Sequence, residues 1–332
     1  MKQRGKRYCQ SCSNKLQKNG YNITKHGKKT KWKCLQCDTN RQRPRLDLRS
    51  KYTLRRFVDY LIGTASATDV FGSTSTFNRQ NAWCWNIEPQ PIITGEVYDY
   101  LIIDAKPLKG STCAIVRNRK CVINWRHGIS ENSTLWRETL SVLPRPGAVV
   151  CDGQRGISKA LNVLWPGTVI QRCHVHVRRN IRIKLTRNPQ TEAGADLQWL
   201  MIRLGQVNND TSMAVFIALF DELYVKHLNF LNERTYNTNP EGKRKWWYTH
   251  GKVRSAYRQI DKLISDDQLF AFITHPKLDL SSTTNGLEGG INSRLDELIM
   301  RHRGMNLRRQ QRLVDWYLDS RSEAPYFSRK IT

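Results

Sequence analysis

Two aspartates in this sequence each follow a short apolar run. Asp104 follows Leu101–Ile103, and Asp152 follows Ala148–Cys151 and precedes Gly153. Such runs predict strands, and two neighbouring strands that end in Asp bring their carboxylates to one edge of a sheet. Carboxylate oxygens suit Mg²⁺ or Mn²⁺, and a pair of such ions can activate a nucleophile and stabilise the leaving oxygen of a phosphodiester displacement. The alternative is that each Asp only caps a turn.

A third acid would complete such a site, and Glu288 is the candidate. It lies among Gly286, Gly289 and Gly290, which would allow a nucleic-acid backbone to approach closely. The competing interpretation is a capping box, in which Asn285 is the N-cap residue and the Glu288 side chain returns to its amide.

Cys173 and His176 form a Cys-x-x-His motif just past the strand predicted over 168–170. On chemistry alone the pair could be half of a zinc site, but no second half with suitable spacing is evident. A packed, hydrogen-bonded pair is the alternative.

A stronger metal pattern lies near the N-terminus, where two Cys-x-x-Cys motifs are separated by 21 residues. Their four cysteines are Cys9, Cys12, Cys34 and Cys37. Four thiolates suit one tetrahedral Zn²⁺, and the alternation between the motifs predicts a hairpin, so we expect a zinc ribbon over 1–45. Redox thiols or unpaired structural cysteines are the alternatives.

The chain is strongly basic, with 55 Lys and Arg against 28 Asp and Glu and a net charge of +27. Residues 1–50 contain 15 of the basic residues and only two acids, a net +13. Such a field attracts polyanions. No apolar run is long enough to span a membrane, and the basic N-terminus lacks the apolar core of a secretory signal. We therefore expect a cytoplasmic, nucleoid-associated protein that binds double-stranded DNA.

Helical patterns follow the predicted ribbon. A basic linker is predicted over 41–49, an amphipathic helix over 52–63, and a third helix from Ser73 after a short intermediate segment. This order is typical of a helix-turn-helix, predicted over 46–90, although a plain helical linker would have the same pattern. The side chains expected to face the major groove are Ser73, Ser75, Asn78 and Arg79.

The rest of the chain predicts an α/β domain with a mixed sheet, interrupted by helices. The predicted strands are 97–104, 111–117, 121–125, 148–151 and 168–170, with helices at 132–143 and 157–164. The first part of this core spans 91–190, an all-α insertion spans 191–278, and C-terminal helices with a basic tail span 279–332.

Across 97–312 the chain resembles the DDE transposases of the Mutator-like superfamily, which includes many bacterial insertion-sequence transposases. Four elements carry the resemblance in the family's order: Asp104 in LIIDAK, Asp152 in VVCDGQRG, the Cys-x-x-His in QRCHVHVRRN, and Glu288 in TTNGLEGGIN. The resemblance implies a ribonuclease-H-like fold in which Asp104, Asp152 and Glu288 hold two Mg²⁺ or Mn²⁺ ions. It also implies that Cys173 and His176 are an accessory pair.

The resemblance further implies cleavage of DNA at the terminal repeats of a mobile element, transfer of the strand to target DNA, and a homodimer or larger assembly. Basic side chains, alone or beside aromatic rings, are candidates for contacts with the DNA. They are Arg178, Arg179, Arg182, Lys243, Arg244, Trp246, Arg308 and Arg309. A non-catalytic DNA-binding regulator and a structure-specific nuclease of the same fold are the alternative functions.

Overall fold

The computed structural model describes residues 8–9, 14–24, 27–38, 40–41, 46–64, 66–71, 73–237 and 246–328, without the side chains of 40–41, 46–50, 70–71 and 288. The chain divides into two compact units, Met1–Ile87 and Glu88–Thr332. Over the described residues, no helix is both long and apolar enough to cross a membrane.

The first unit begins with a hairpin between the two cysteine motifs. Its strands are β1 (Gln17–Thr24) and β2 (Gly27–Lys33), which pair antiparallel, and the short β3 (Asn40–Arg41) pairs with β2. The alternating pattern of this segment correctly predicts the hairpin.

Three helices follow: α1 (Leu46–Ile62), α2 (Ala67–Phe71) and α3 (Thr74–Asn81). The prediction of a linker as far as residue 49 is wrong, because α1 begins at Leu46. The sequence from there to Ile62 has no Gly or Pro, so nothing in it interrupts helical hydrogen bonding.

A small aromatic core holds these helices together. Phe57 of α1 is fully buried, and its ring lies 6.2 Å from the ring of Phe77 and 4.8 Å from that of Trp85. Ser73 caps α3, since its hydroxyl accepts a hydrogen bond from the Thr76 N–H at 3.2 Å.

The second unit contains a five-stranded mixed sheet, which confirms the predicted α/β class. Its strands are β4 (Tyr100–Leu108), β5 (Ser111–Arg117), β6 (Val122–Gly128), β7 (Ala148–Cys151) and β8 (Val169–Arg172). They lie in the order β6-β5-β4-β7-β8. The first three form an antiparallel meander, whereas β7 pairs parallel with β4 and β8 with β7.

Helices follow the strands as expected. They are α4 (Ser133–Leu140), α5 (Arg155–Leu164) and α6 (His174–Leu185). The side chains of α4 and α5 pack with residues of β4 and β7 in one apolar core, in which Trp136 is fully buried.

The segment after α6 is helical with one exception. Its helices are α7 (Glu192–Arg203), α8 (Asp210–Lys226), α9 (Leu228–Asn232), α10 (Gly251–Ser265) and α11 (Ala271–Thr274). Between α9 and α10, however, β9 (Arg234–Tyr236) and β10 (Trp246–Tyr248) form an antiparallel pair. The prediction of an all-α insertion is therefore wrong, because the aromatic Trp-Trp-Tyr run favours strand pairing.

The chain then returns to the sheet through α12 (Asn285–Leu287), a π-helical turn (Glu288–Asn292), α13 (Ser293–Arg301) and α14 (Leu307–Ser320). The last helix is fixed by Asp315, whose carboxylate accepts hydrogen bonds from Trp125 Nε1 at 3.0 Å, His127 Nε2 at 2.7 Å and Arg312 at 2.9 Å. Arg312 is buried, whereas Arg308 and Arg309 at the start of the same helix are exposed.

The position of Asp104 within β4 also differs from the prediction. Asp104 does not end its strand, because β4 remains paired with β5 as far as Leu108. On the other side, β7 pairs only with the part of β4 from Tyr100 to Ile102. Asp104 therefore lies just beyond the end of β7, and Pro107, which has no N–H to donate, lies where that side of β4 has no partner.

Gly153 forms the turn between β7 and α5. Its φ is +71°, and a Cβ on this residue would lie 1.8 Å from Cζ of Arg172. The Arg172 Nε donates a hydrogen bond to the backbone oxygen of Asp152 at 3.0 Å. The bare glycine thus allows an arginine to fix the backbone of Asp152.

We expect Gly153→Ala to destabilise the protein more than Gly167→Ala. Gly167 also has a φ of +71°, but a Cβ there would come no closer than 3.7 Å to a neighbouring side chain. Gly167→Ala should cost about 1 kcal/mol for the backbone conformation, and Gly153→Ala about 1–3 kcal/mol more because Arg172 must leave its acceptor. Urea unfolding curves of the two variants measure this difference, and equal losses would contradict the role given to Arg172.

Candidate active site

Asp104, Asp152 and His176 meet at the edge of the sheet. Their potential ligand atoms, one carboxylate oxygen from each Asp and one imidazole nitrogen, all lie within 4.8 Å of one another. Both aspartates are buried, at 8% and 7% exposure. Asp104 comes from β4, Asp152 from the end of β7, and His176 from the first turn of α6. The two aspartates that the sequence pairs are thus close together, with an imidazole beside them.

Hydrogen bonds from Ala105 and Asn292 help to orient the Asp104 carboxylate. One oxygen accepts from the Ala105 N–H at 2.9 Å, and the other accepts from Nδ2 of Asn292 at 3.1 Å. Asn292 ends the π-helical turn that starts at Glu288, and turns of this kind occur often at functional sites. The Asn292 Oδ1 is buried without a hydrogen-bond partner among the described residues. An amide oxygen is a suitable ligand for a hard cation.

Asp152 caps the turn that follows it. Its Oδ1 accepts a hydrogen bond from the Gln154 N–H at 2.9 Å, so the turn-capping alternative describes a contact that the residue makes. This contact uses one oxygen. The other, Oδ2, accepts no hydrogen bond from the residues that the structure describes, which leaves it able to act as a ligand.

The two residues of the Cys-x-x-His motif have different surroundings. Cys173 is fully buried, and its sulfur accepts hydrogen bonds from the N–H and the hydroxyl of Thr284, both at 3.3 Å. Burial raises the pKa of this thiol, but hydrogen bonds with His176 and Thr284 outweigh it, so the pKa lies below its ordinary value. Among the described residues, Cys173 joins no cluster of three or more potential metal ligands. It holds the segment that leads to Glu288, while His176 lies beside the aspartates.

Glu288 lies on the segment that Cys173 holds. Its backbone is the first residue of the π-helical turn, and its side chain lies outside the described parts of the chain. The preceding helix already includes Asn285. Asn285 is therefore a helical residue, whereas the capping-box interpretation needs it at the N-cap.

Sequence reasoning missed Glu131. This residue, together with Asp104, Asp152 and His176, lines a cavity of about 740 Å³. Burial raises the pKa of Glu131, and the nearby Asp152 carboxylate adds to the increase, against the opposing hydrogen bonds from Trp136 and Gln154. The sequence does contain a signal for Glu131. This acid lies in the short turn after β6 and directly precedes Asn132, the N-cap of α4.

The arginines predicted to contact DNA on α6 are exposed and lie beside this cavity. Arg178, Arg179 and Arg182 line a groove of about 580 Å³ between α6 and α7. Arg179 also lines the cavity that contains the aspartates. A basic groove therefore runs directly into the acidic centre.

The other residues predicted to contact DNA lie farther along the chain or in the first unit. Trp246 is partly exposed on β10 with the Arg234 guanidinium 4.4 Å from its ring, and Arg308 and Arg309 are exposed at the start of α14. Lys243 and Arg244 lie outside the described residues. In the first unit Ser75, Asn78 and Arg79 are exposed on α3, whereas Ser73 is its N-cap.

Three of the four N-terminal cysteines form a cluster. The sulfurs of Cys9, Cys34 and Cys37 lie within 4.8 Å of one another, and those of Cys9 and Cys37 are 3.3 Å apart. Cys12 lies outside the described residues. Sulfurs bound to one tetrahedral zinc at about 2.3 Å each lie about 3.8 Å apart, so this spacing fits a shared metal better than a disulfide.

We expect Cys173→Ala to loosen the segment that leads to Glu288. Loss of the sulfur acceptor removes two hydrogen bonds worth about 1 kcal/mol each, so local opening should increase and amide exchange over residues 281–287 should become at least about fivefold faster. Hydrogen–deuterium exchange measures this rate. Cys113→Ala, which removes a buried thiol from β5, is the control and should leave the segment unchanged. Equal protection in both variants would contradict this role of Cys173.

Comparisons with known proteins match the stretch of the chain that contains Asp104, Asp152 and His176. Residues 94–234 match the Mutator family of transposases. The chain is also 30% identical over 105 residues to the transposase for insertion sequence element IST2 of Acidithiobacillus ferrooxidans, a match that covers 30% of this chain and 36% of that protein. Both comparisons agree with the resemblance that the sequence motifs indicate, and residues 94–234 are similar to transposases of the Mutator family.

Proposed function

We propose that this protein is a DNA transposase that cuts and joins DNA strands with divalent cations bound by Asp104, Asp152 and Glu288. The observation that carries this proposal is the convergence of Asp104, Asp152 and His176 within 4.8 Å, inside the stretch that matches the transposase family. The stretch that matches a curated relative spans 36% of that protein's length, so the activity of the whole chain is part of the proposal.

The donor set fits Mg²⁺ or Mn²⁺. Two carboxylates and an amide oxygen are hard ligands, and the imidazole of His176 is compatible with Mn²⁺. Asp104 and Asp152 hold the ions, Glu288 is the third carboxylate, and His176 is either a further ligand or a hydrogen-bond partner of a carboxylate. When bound, two cations would neutralise the charge that develops on the attacking and leaving oxygens of a phosphodiester.

The protein's own residues position the DNA strand for this reaction. Arg178, Arg179 and Arg182 bind backbone phosphates in the groove that leads to the aspartates, and this orients the scissile phosphate. Water attacks first and releases a 3′-hydroxyl, which then attacks the target strand at the same site. No covalent protein intermediate is required.

The strand order supports a ribonuclease-H-like domain. An antiparallel meander with parallel strands added beside its first strand fits that fold, and the helical segment with its β9–β10 hairpin is the insertion.

We assign recognition of the terminal repeats to the first unit, with a zinc ribbon at Cys9, Cys12, Cys34 and Cys37 and a helix-turn-helix in which α3 enters the major groove. Joining of two element ends requires a dimer or larger assembly, which we expect at the nucleoid of a prokaryotic cell.

We expect Asp104→Asn, Asp152→Asn and Glu288→Gln each to lower DNA cleavage and strand joining by at least about a hundredfold, because each removes a charged ligand but keeps the side-chain size. The assay uses DNA that carries the element's terminal repeats, with Mg²⁺ or Mn²⁺. Glu138→Gln, an exposed acid on α4, is the control and should retain activity.

Other results would favour the alternatives. Binding of terminal-repeat DNA without any metal-dependent cleavage by the wild type would indicate a regulator. Cleavage of branched DNA without strand joining would indicate a structure-specific nuclease. Full activity of Glu288→Gln alone would exclude Glu288 from the ligands.

We expect about one Zn²⁺ per purified chain, as one four-sulfur site requires. Cys37→Ser should lose at least half of the zinc and the affinity for terminal-repeat DNA, because metal binding provides much of the folding energy of so small a unit. Cys84→Ser is the control, because Cys84 lies outside the cluster of Cys9, Cys34 and Cys37 and its buried thiol faces Asn81 Oδ1 at 3.9 Å. Elemental analysis measures the zinc, and an equal zinc content in both variants would refute the site.

A further inference from the structure

Glu131 is held in a defined position between β6 and α4. It directly precedes Asn132, the N-cap of α4, whose side chain accepts hydrogen bonds from the Thr134 and Leu135 N–H groups at 3.0 Å. One turn into the helix, Trp136 Nε1 donates a hydrogen bond to Glu131 Oε1 at 3.1 Å. Because the Trp136 ring is fully buried, it fixes the carboxylate at the wall of the cavity.

A single residue connects Glu131 to Asp152. The backbone N–H of Gln154 binds Asp152 Oδ1 at 2.9 Å, and its side chain lies near Glu131, where it lowers the pKa of that carboxyl. All three residues line the cavity that also contains His176. The start of α5 is packed on the start of α4, since a Cβ on Gly156 would lie 3.0 Å from the Asn132 carbonyl carbon. The two turns that carry the carboxylates therefore form one rigid wall.

Neither of these carboxylates is neutralised by the protein. Among the described residues, no Lys or Arg forms a salt bridge with Asp152 or Glu131, although the chain contains 55 basic residues. Lys106, which lines the same cavity, is paired with Asp296 at 2.6 Å. Partly buried carboxylates without a cation are unfavourable, and a bound divalent ion removes that cost.

We infer that Glu131 is a further ligand of the divalent-cation site, on the Asp152 side of the cavity. This deepens the proposed function and rests on it, because both need a cation bound among these residues. Trp136 orients the carboxylate, which lines the cavity beside Asp152. The site then contains one carboxylate from each of the two turns, Glu131 and Asp152, in addition to Asp104.

A purely structural role for Glu131 makes a different prediction. If the side chain served only to accept the Trp136 hydrogen bond, glutamine would replace it fully, since its amide oxygen accepts the same bond. If the carboxylate binds a cation, glutamine keeps the fold and loses the affinity. Glu131→Gln therefore separates the two roles.

Mn²⁺ binding to the full-length protein tests the inference by isothermal titration and by the electron paramagnetic resonance signal of free Mn²⁺. In Glu131→Gln we expect the number of bound ions to fall from two to one, or the Kd to rise at least about tenfold. Circular dichroism should show an unchanged fold. Glu138→Gln, which removes an equal charge outside the cavity, should bind Mn²⁺ like the wild type.

Asp152→Asn distinguishes failure of this inference from failure of the proposed function. If Asp152→Asn loses Mn²⁺ and Glu131→Gln binds it like the wild type, Glu131 is not a ligand and the proposed function stands. If the wild type binds no Mn²⁺, or Asp152→Asn binds it normally, both are wrong.

Tb³⁺ provides a second measurement that does not depend on a change at Glu131. An ion held by Glu131 lies within a few ångströms of the Trp136 ring, close enough for that ring to sensitise Tb³⁺ emission. Trp136→Phe should lower the emission of bound Tb³⁺ more than Trp199→Phe, which removes a tryptophan on α7. Equal emission from both variants, with Tb³⁺ still displaced by Mn²⁺, would overturn the placement of an ion beside Glu131.

Discussion

The geometry of the site depends on hydrogen bonds that return the chain to the sheet after the long insertion. The buried Gln171 at the end of β8 binds the Leu269 carbonyl oxygen at 3.0 Å and the Phe272 N–H at 3.0 Å. The next residues continue the connection: the His174 N–H binds the Ser282 oxygen at 3.0 Å, and the Cys173 sulfur binds Thr284. These bonds, together with those of Asn292 to Asp104 and Asp296 to Lys106, place the π-helical turn near β4.

Charge imposes a second constraint on the molecule. Under the proposed function, the net charge of +27 would draw DNA towards the protein, but cleavage would need a place where divalent cations outcompete the lysines and arginines for the carboxylates. The structure separates the two requirements. Exposed arginines line the groove beside α6, whereas the aspartates are buried at the edge of the sheet with backbone, amide and imidazole partners. Arg179, which lines both spaces, marks the boundary between them.

Much of the fold follows from local pattern. The strands near 111–117 and 148–151, the helix that follows Asp152 and the cysteine hairpin can be predicted, because apolar runs, turn residues and alternation are local properties. The end of β4 cannot, because pairing with β5 extends this strand beyond its apolar run. The start of α1 also lies beyond the apolar pattern, and the sequence indicates it only through the absence of Gly and Pro from residues 46–62. The β9–β10 pair was missed because its strands are only three residues each and their partners are separated in the sequence.

The residues of the candidate site can likewise be predicted only where they stand in a recognisable local motif. Asp104, Asp152 and His176 belong to motifs with recognisable spacing, so the sequence indicates them. Glu131 belongs to none. Asn292 is the last residue of the TTNGLEGGIN motif, but its spacing does not single it out, and only the structure shows that it binds Asp104. The division of the Cys-x-x-His motif into a structural cysteine and a histidine at the centre also required three-dimensional contacts, since spacing alone cannot show which way each side chain points.

The contact between Cys173 and Thr284, which are 111 positions apart, has a consequence for the order of events on the ribosome. The strands that carry the two aspartates can pair while the insertion is still being synthesised, because β4 and β7 are close in the sequence. The centre gains its last segment only after residues beyond 284 leave the exit tunnel and the loop closes. A nascent chain would therefore contain a folded first unit well before its carboxylate site is complete, and premature termination would leave a product that has the first unit but lacks the complete site.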